Sequence, residues 1–341
     1  LYDQIQERLE DDAFTVRALF DRFKIESLAT TDPAAGDLDL HAAIQASGLP
    51  VVPTFRPDAA MQLHDPAWKT TLAELGARVN LEIDTLPRFR EALRIRRQQF
   101  LERGATASDH GIRTSFITPR SENEVRALFE RALAGTANAE DGEAFHAHML
   151  YEMAGMSIDD GLVMQLHIGS FRNHNPQVFE RFGLDKGADI PVAVDFTRGL
   201  HALLGAYGSD PNFRLITFTL DESTYARELA PLAGHYPALR LGAPWWFFDS
   251  VLGFERYLDR VVETAGVYNL AGFNDDTRAF ASIPTRHDVW RRAVANWLAG
   301  MVERGLIERE DAPAMARWLA YEAAKDAYRI PTSSSSARQS A

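Results

Sequence analysis

The chain has 341 residues, a formal net charge of -12 and no cysteine. That length supports one large domain with a substantial core, and the lack of thiols excludes disulfides, thiolate metal sites and cysteine nucleophiles. The acidic balance excludes a general affinity for nucleic acid or an anionic membrane, and no apolar run approaches the length of a membrane span.

Seven strand-like segments alternate with helical ones along residues 1–330. A helix is predicted first, from Val16, Leu19, Phe20 and Phe23 at i, i+3, i+4, i+7 spacing. The first strand-like segment, 25–31, leads into Thr31-Asp32-Pro33, and the second, 51–55, ends at Arg56-Pro57-Asp58. A long helical insertion is expected over 58–104, where Arg88, Arg90, Arg94, Arg96 and Arg97 read as the wet face of a helix whose dry face carries Phe89, Leu93, Phe100 and Leu101. The third segment, 105–108, ends at Asp109-His110-Gly111, and a second insertion spans 120–161. The fourth, 162–168, holds His167 near its end and is followed by Arg172. The fifth, 215–220, precedes Asp221; the sixth, 239–242, precedes Trp245-Trp246-Phe247; the seventh, 267–273, precedes Asn274-Asp275-Asp276-Thr277-Arg278. The Ser-rich tail 331–341 is predicted to be disordered.

Strand–helix alternation predicts a parallel sheet with covering helices in a single domain. No G-x-G-x-x-G follows the first strand and no G-x-x-x-x-G-K-[ST] occurs, so nucleotide-binding doubly wound folds lose their main support.

Six of the seven segments end in ionisable or indole groups, which points to a shared site at one mouth, since catalytic groups of (β/α) barrels sit at the C-terminal ends of the strands. Each residue also has a plainer reading. His167 is either a satisfied core histidine or a functional imidazole beside Arg172 and His174. Asp276 is a helix cap, a metal ligand or a general base. Arg56, Arg278 and Arg286 are ion-pair partners or forks for a substrate carboxylate. Trp245 and Trp246 are core aromatics or a platform for a sugar ring. His146 and His148 imitate a metal motif, but residues two apart on a helix point to different faces.

The segments Thr30-Thr31-Asp32-Pro33, Pro53-Thr54-Phe55-Arg56-Pro57-Asp58, Ser108-Asp109-His110, Gln165-Leu166-His167-Ile168-Gly169, Trp245-Trp246-Phe247, Asp276-Thr277-Arg278 and Thr285-Arg286-His287 occur in an order and spacing that resembles the uronate (glucuronate) isomerases of the amidohydrolase superfamily. The resemblance implies a (β/α)8 barrel of the metal-dependent hydrolase type with helical insertions. It implies interconversion of D-glucuronate with D-fructuronate, and of D-galacturonate with D-tagaturonate. It makes Asp276 a ligand of a divalent metal, zinc by expectation, and a participant in proton transfer. Arg278 and His167 join it in catalysis, while Arg56, Trp245, Trp246, Arg172, Arg286 and His110 contact the sugar.

Two departures accompany the resemblance. The family's first strand carries a His-x-His metal pair and a further His-Tyr pair, expected upstream of Leu1, so the seven strand-like segments leave the barrel one strand short. Lys325 stands where the family carries an arginine, keeping the charge but not the fork. The rival readings are a metal-dependent hydrolase of the same superfamily and an inactive fragment. The expected partner is a small uronate sugar, with no nucleic acid and no membrane; a homo-oligomer is left open. The lack of cysteine and of a visible signal peptide leads to the expectation of a cytoplasmic protein.

Overall fold

Six parallel strands form the central sheet of the computed structural model, which describes residues 1–330. They are β1 (Leu28–Pro33), β2 (Val51–Arg56), β3 (Ala107–Ile112), β4 (Val163–Ile168), β7 (Leu215–Thr219) and β8 (Leu239–Leu241), hydrogen-bonded in that order. Two short strands, β5 (Ser170–Phe171) and β6 (Ile190–Pro191), pair antiparallel in a flap after β4. Parallel neighbours need crossover connections, and helices supply them on one face of the sheet. The tail expected to be disordered lies outside the described residues. No helix among the described residues is long and apolar enough to cross a membrane.

Strand alternation divides the side chains between two environments. Phe55, Ile112, Met164, Leu166, Ile168 and Leu215 join the large core against the helices. Ala107, Val163, Ile216 and Phe218 face the other way and form a small cluster with Ala271 and Ala327. Residues in phase with that second set, namely Asp109, Gln165 and His167, are carried onto the same inner face. Register fixes their order: Asp109 pairs with Gln165, Gly111 with His167, and His167 with Phe218. The site therefore stands on a short apolar floor, closer to the strand ends.

Three expectations change. Segment 267–273 is not a strand: Val267–Asn269 is a 3-10 turn, and only Leu270 makes a parallel bridge, to Leu241. The cause is local. Gly272 has φ +72°, and a Cβ there would lie 2.9 Å from the backbone nitrogen of Ala324, so the chain bends where it presses against a C-terminal helix. Among the described residues the sheet remains open, with β1 at one edge and β8 and its bridge at the other. Second, β3 starts at Ala107, so Asp109, His110 and Gly111 lie within the strand rather than beyond it.

Third, Arg96 and Arg97 are buried, not on a wet face. Arg97 meets Asp160 through Nε–Oδ2 (2.5 Å) and Nη2–Oδ1 (2.9 Å), with Ser157 Oγ 3.0 Å away. Arg96 donates to the carbonyls of Ala34 and Gly36. Buried guanidinium groups need such pairing. The insertions themselves are helical, dominated by Leu86–Glu102 and Ala139–Asp160. Asn138 and Gly161 define the second of these, through a capping box and a left-handed terminus.

Candidate active site

The loop after β8 and the stretch from Asn274 to Arg286 close over the strand ends of β4 and β7. They enclose a cavity of about 110 Å³ lined by His167, Phe218, Trp245, Asn274, Asp276 and Arg286, among others. A cleft of about 690 Å³ lies elsewhere, between helices of the insertions and His201–Tyr207, and contains none of the predicted strand-end residues. The chemistry of the lining, rather than size, places the site at the smaller cavity.

Asp276 is exposed at the mouth in a left-handed conformation, φ +46°. Its Oδ2 accepts a hydrogen bond from Trp245 Nε1 at 3.1 Å, and its other oxygen has no protein partner among the described residues. Trp245 also packs edge-on to the His167 ring, with centroids 4.8 Å apart, and His167 stacks flat on Phe218 at 4.3 Å. The imidazole plane is thus fixed by aromatic contacts on two sides.

A buried carboxylate fixes the imidazole's hydrogen-bonding direction. His167 Nδ1 lies 2.6 Å from Asp109 Oδ1, while Asp109 Oδ2 lies 3.2 Å from Arg56 Nη1. Burial by itself would raise the Asp109 pKa; the His167 and Arg56 partners outweigh it and hold the carboxyl at about 2. An ionised Asp109 can only accept, so the proton of this bond sits on Nδ1 and the Nε2 side is left for the cleft.

Arg56 is held a second time, by Nε donating to Asp58 Oδ2 at 2.9 Å; the same oxygen accepts Gly111 N–H at 2.9 Å. Burial lowers the Arg56 pKa, but Asp58, Asp109 and, further off, Asp276 raise it above the ordinary arginine value. Asp58 is pushed up by burial against the opposing field of Arg56.

The remaining predicted residues divide. Arg286 bonds to both Asp249 and Asp275, and burial raises the pKa of each carboxyl despite it. Arg278 is exposed and makes no ion pair or hydrogen bond among the described residues. Trp246 lies against Trp245, with centroids 4.4 Å apart, at φ +47°. Arg172, on the flap, sits 5.3 Å over the Trp246 ring and 3.6 Å from both Asp185 and Asp189.

His110 is not brought to the mouth. It is fully buried on the helix side of β3, next to Ser108 Oγ at 3.2 Å, and burial lowers its pKa to about 3, so it is neutral. Strand parity explains this: Asp109 and His110 must point to opposite faces. Lys325 bonds to Glu26 at 2.8 Å, ahead of β1 and so at the sheet's other end. His146 and His148 diverge as their helical spacing requires. His148 binds Glu152 at 2.6 Å, while His146 is half-buried, and desolvation of its ring lowers its pKa against the opposing field of Asp58.

Sequence reasoning missed Asp109, Asp58, Phe218 and Tyr328, whose hydroxyl donates to Gln165 Oε1 at 2.7 Å beneath His167. The signal for Asp109 was present. Extending the third strand to Gly111 would have placed it in phase with Ala107 on the inner face.

The parallel sheet with polar groups at its strand ends defines an α/β enzyme class. A solved protein from Lactobacillus casei shares this fold with a TM-score of 0.58 at 15% identity, covering 91% of this chain and 75% of that one. The family model described as glucuronate isomerase matches residues 1–328. A uronate isomerase of Nostoc punctiforme is 54% identical over 331 residues, 97% of this chain and 70% of that protein. A crystal structure of glucuronate isomerase from Caulobacter crescentus superposes with a TM-score of 0.94 at 47% identity, covering 97% of this chain and 69% of that one. The chain belongs to the glucuronate (uronate) isomerase family.

Proposed function

We propose that the chain interconverts D-glucuronate with D-fructuronate, and D-galacturonate with D-tagaturonate, by moving a proton between adjacent carbons. The observation that carries this reading is the family match over residues 1–328, coupled to a mouth that combines an exposed carboxylate with fixed arginines. The open-chain aldehyde form has an acidified C–H at C2. Asp276 takes that proton, the C2–H electron pair becomes the C1–C2 double bond, and O1 takes up a proton. Loss of the proton on O2 and return of a proton to C1 give the ketone, with no net oxidation or reduction. A positioned base of this kind contributes about 10²–10⁴-fold.

Trp245 holds the Asp276 carboxylate, and His167 presents Nε2 to move a proton at O1 or O2. The arginines differ in role because they differ in pairing. Arg278 has no carboxylate partner among the described residues, so its fork is free for the sugar's carboxylate. Arg56, bracketed by Asp58 and Asp109, orients a substrate oxygen beside His167. Trp246, Arg172 and Arg286 shape the wall around the ring. The sheet forms most of the wall of a (β/α)8 barrel in this reading.

A divalent metal, zinc by resemblance, would polarise the carbonyl and stabilise the enediolate when bound. The described residues contain no group of three or more His, Cys, Asp or Glu side chains that could hold a metal ion. Asp276 offers one free oxygen, which is a single donor and not a site, so none of the steps above is routed through a metal. The test is proton NMR with glucuronate in D2O, with and without added zinc. Appearance of the ketouronate supports the reading. No ketouronate, together with hydrolysis of a lactone or amide panel, would assign the site to hydrolysis instead.

A further inference from the structure

Gly111 is the one glycine on β3, and its side-chain position is taken up by another residue's functional group. A Cβ built there would lie 2.3 Å from Arg56 Nη2 and 3.4 Å from Asp58 Oδ2. Its φ is not positive, so the backbone does not demand glycine. What glycine supplies is room on the inner face, directly beside His167 in register. The guanidinium fills that room and is tied down on both flanks, by Asp58 at Nε (2.9 Å) and by Asp109 at Nη1 (3.2 Å).

Asp109 has a second task. One carboxylate, 5% exposed, spans Arg56 and His167, with an oxygen on each. Any movement of Asp109 moves both groups that face the sugar. We propose that Asp109 and Gly111 are positioning residues: Gly111 is the seat of the Arg56 guanidinium, and Asp109 sets the spacing between that fork and the His167 imidazole. This rests on the isomerase reading for the identity of the ligand, but the geometry it describes belongs to the protein alone.

The two residues act in separable ways. Gly111→Ala adds one methyl group and removes no polar group of its own. The atom it would strike is the far end of a flexible side chain, so the backbone can stay and the guanidinium must leave its seat. Asp109→Asn keeps the shape but turns one acceptor oxygen into an N–H donor, which then faces either His167 Nδ1–H or Arg56 Nη1–H. It therefore disturbs both partners, where Gly111→Ala disturbs one.

The experiment is a double-mutant cycle on the full chain: wild type, Gly111→Ala, Arg56→Ala and the double variant. KM and kcat for glucuronate are measured alongside glucuronate Kd by calorimetry and Tm by circular dichroism. Gly111→Ala is expected to keep Tm within a few degrees and to raise KM and Kd about tenfold or more, with a smaller fall in kcat, since a displacement of about 1 Å in a positioning group can cost on the order of 10²-fold. With Arg56 already truncated, adding Gly111→Ala should change neither constant further. Equal effects of Gly111→Ala with and without the Arg56 head group would overturn the proposal, as would wild-type constants in Gly111→Ala. If wild type binds glucuronate without isomerising it, the functional reading fails while the Kd cycle still decides the positioning roles; if wild type does not bind glucuronate, the functional reading fails and the Tm values of the same four proteins decide the seat, equal shifts by Gly111→Ala with and without the Arg56 head group overturning it. Asp109→Asn is the second variant: it should lower kcat as well as raise KM, and a change confined to Tm would make Asp109 structural only.

Discussion

Asp276→Asn separates the chemistry of the site from its architecture. The residue is exposed, and its one side-chain hydrogen bond among the described residues is the 3.1 Å bond from Trp245 Nε1. An asparagine side-chain oxygen accepts that bond equally well. Its backbone stands at φ +46°, where asparagine is at least as comfortable as aspartate. No buried surface and no ion pair is lost, so stability should change by no more than about 0.5 kcal/mol. What disappears is the basic carboxylate. General-base catalysis is worth about 10²–10⁴-fold, or roughly 3–5 kcal/mol of barrier. The variant is therefore expected to melt with wild type and to turn over at least about a hundredfold more slowly. Turnover is read by NMR appearance of the ketouronate. Tm is read by circular dichroism on the same samples. Near-normal turnover at unchanged Tm would refute the assignment of Asp276 as the base. A large fall in Tm would refute the claim that the carboxylate is structurally idle. Asp276→Ala serves as the contrast, because it strands the Trp245 N–H and leaves a non-glycine, non-asparagine residue in the left-handed region, at a cost of about 1–2 kcal/mol.

Trp245→Phe keeps an aromatic edge against His167 but removes the donor to Asp276; kcat should fall about tenfold, corresponding to about 1.4 kcal/mol, and an unchanged kcat would show that the carboxylate orients without it. Asp109 should appear in the acid limb of stability. Its folded pKa of about 2 lies below the unfolded value of 3.8, so its contribution is present above 3.8 and is lost as pH falls toward about 2. That contribution amounts to about 2 kcal/mol, and chemical denaturation from pH 5 to pH 2 should show a shallower pH slope in Asp109→Asn than in wild type. Arg97→Met leaves Asp160 without its bidentate partner and should destabilise by about 3–5 kcal/mol, measured by urea unfolding; a loss below about 1 kcal/mol would mean that Asp160 turns to water instead.

The strands with unbroken apolar patterns were legible from the chain alone. β2, β4 and β7 fall within one residue of their expected limits because their side chains satisfy both faces of a buried sheet. The seventh segment looked equally apolar, yet it makes one bridge, because Gly272 and the helix at Ala323–Ala327 impose a bend that composition does not record. Trp245, His167 and Arg56 were readable as polar or indole groups at strand ends, and Asp276 as an acid following an apolar segment, although that segment is not a strand. Asp109 was not, for the opposite reason to His110: a strand end placed at 108 instead of 112, four residues early, hides which of two neighbours faces inward. Arg96 and Arg97 were misplaced because a helical pattern shows which positions face the core, but not that a carboxylate at position 160 and carbonyls at 34 and 36 wait there for a guanidinium.

In the proposed reading an acidic protein binds an acidic sugar next to a carboxylate base, an electrostatic conflict that the pairing pattern of the site's charges resolves. Five carboxylates surround the site, at positions 58, 109, 249, 275 and 276. Four of them are consumed: two by Arg56 and two by Arg286. Each arginine between two acids is held rigidly in place, which makes it a positioning device and a poor counter-ion for a third anion. Among the described residues Arg278, two positions along the chain from Asp276, has no such partner, and Asp276 is bound only by a neutral indole N–H. The unspent charges are thus one positive and one negative, two residues apart in the chain. One is suited to capturing a carboxylate and the other to removing a proton. Neutralising either through a neighbouring ion pair would lower the site's charge conflict and, with it, the chemistry.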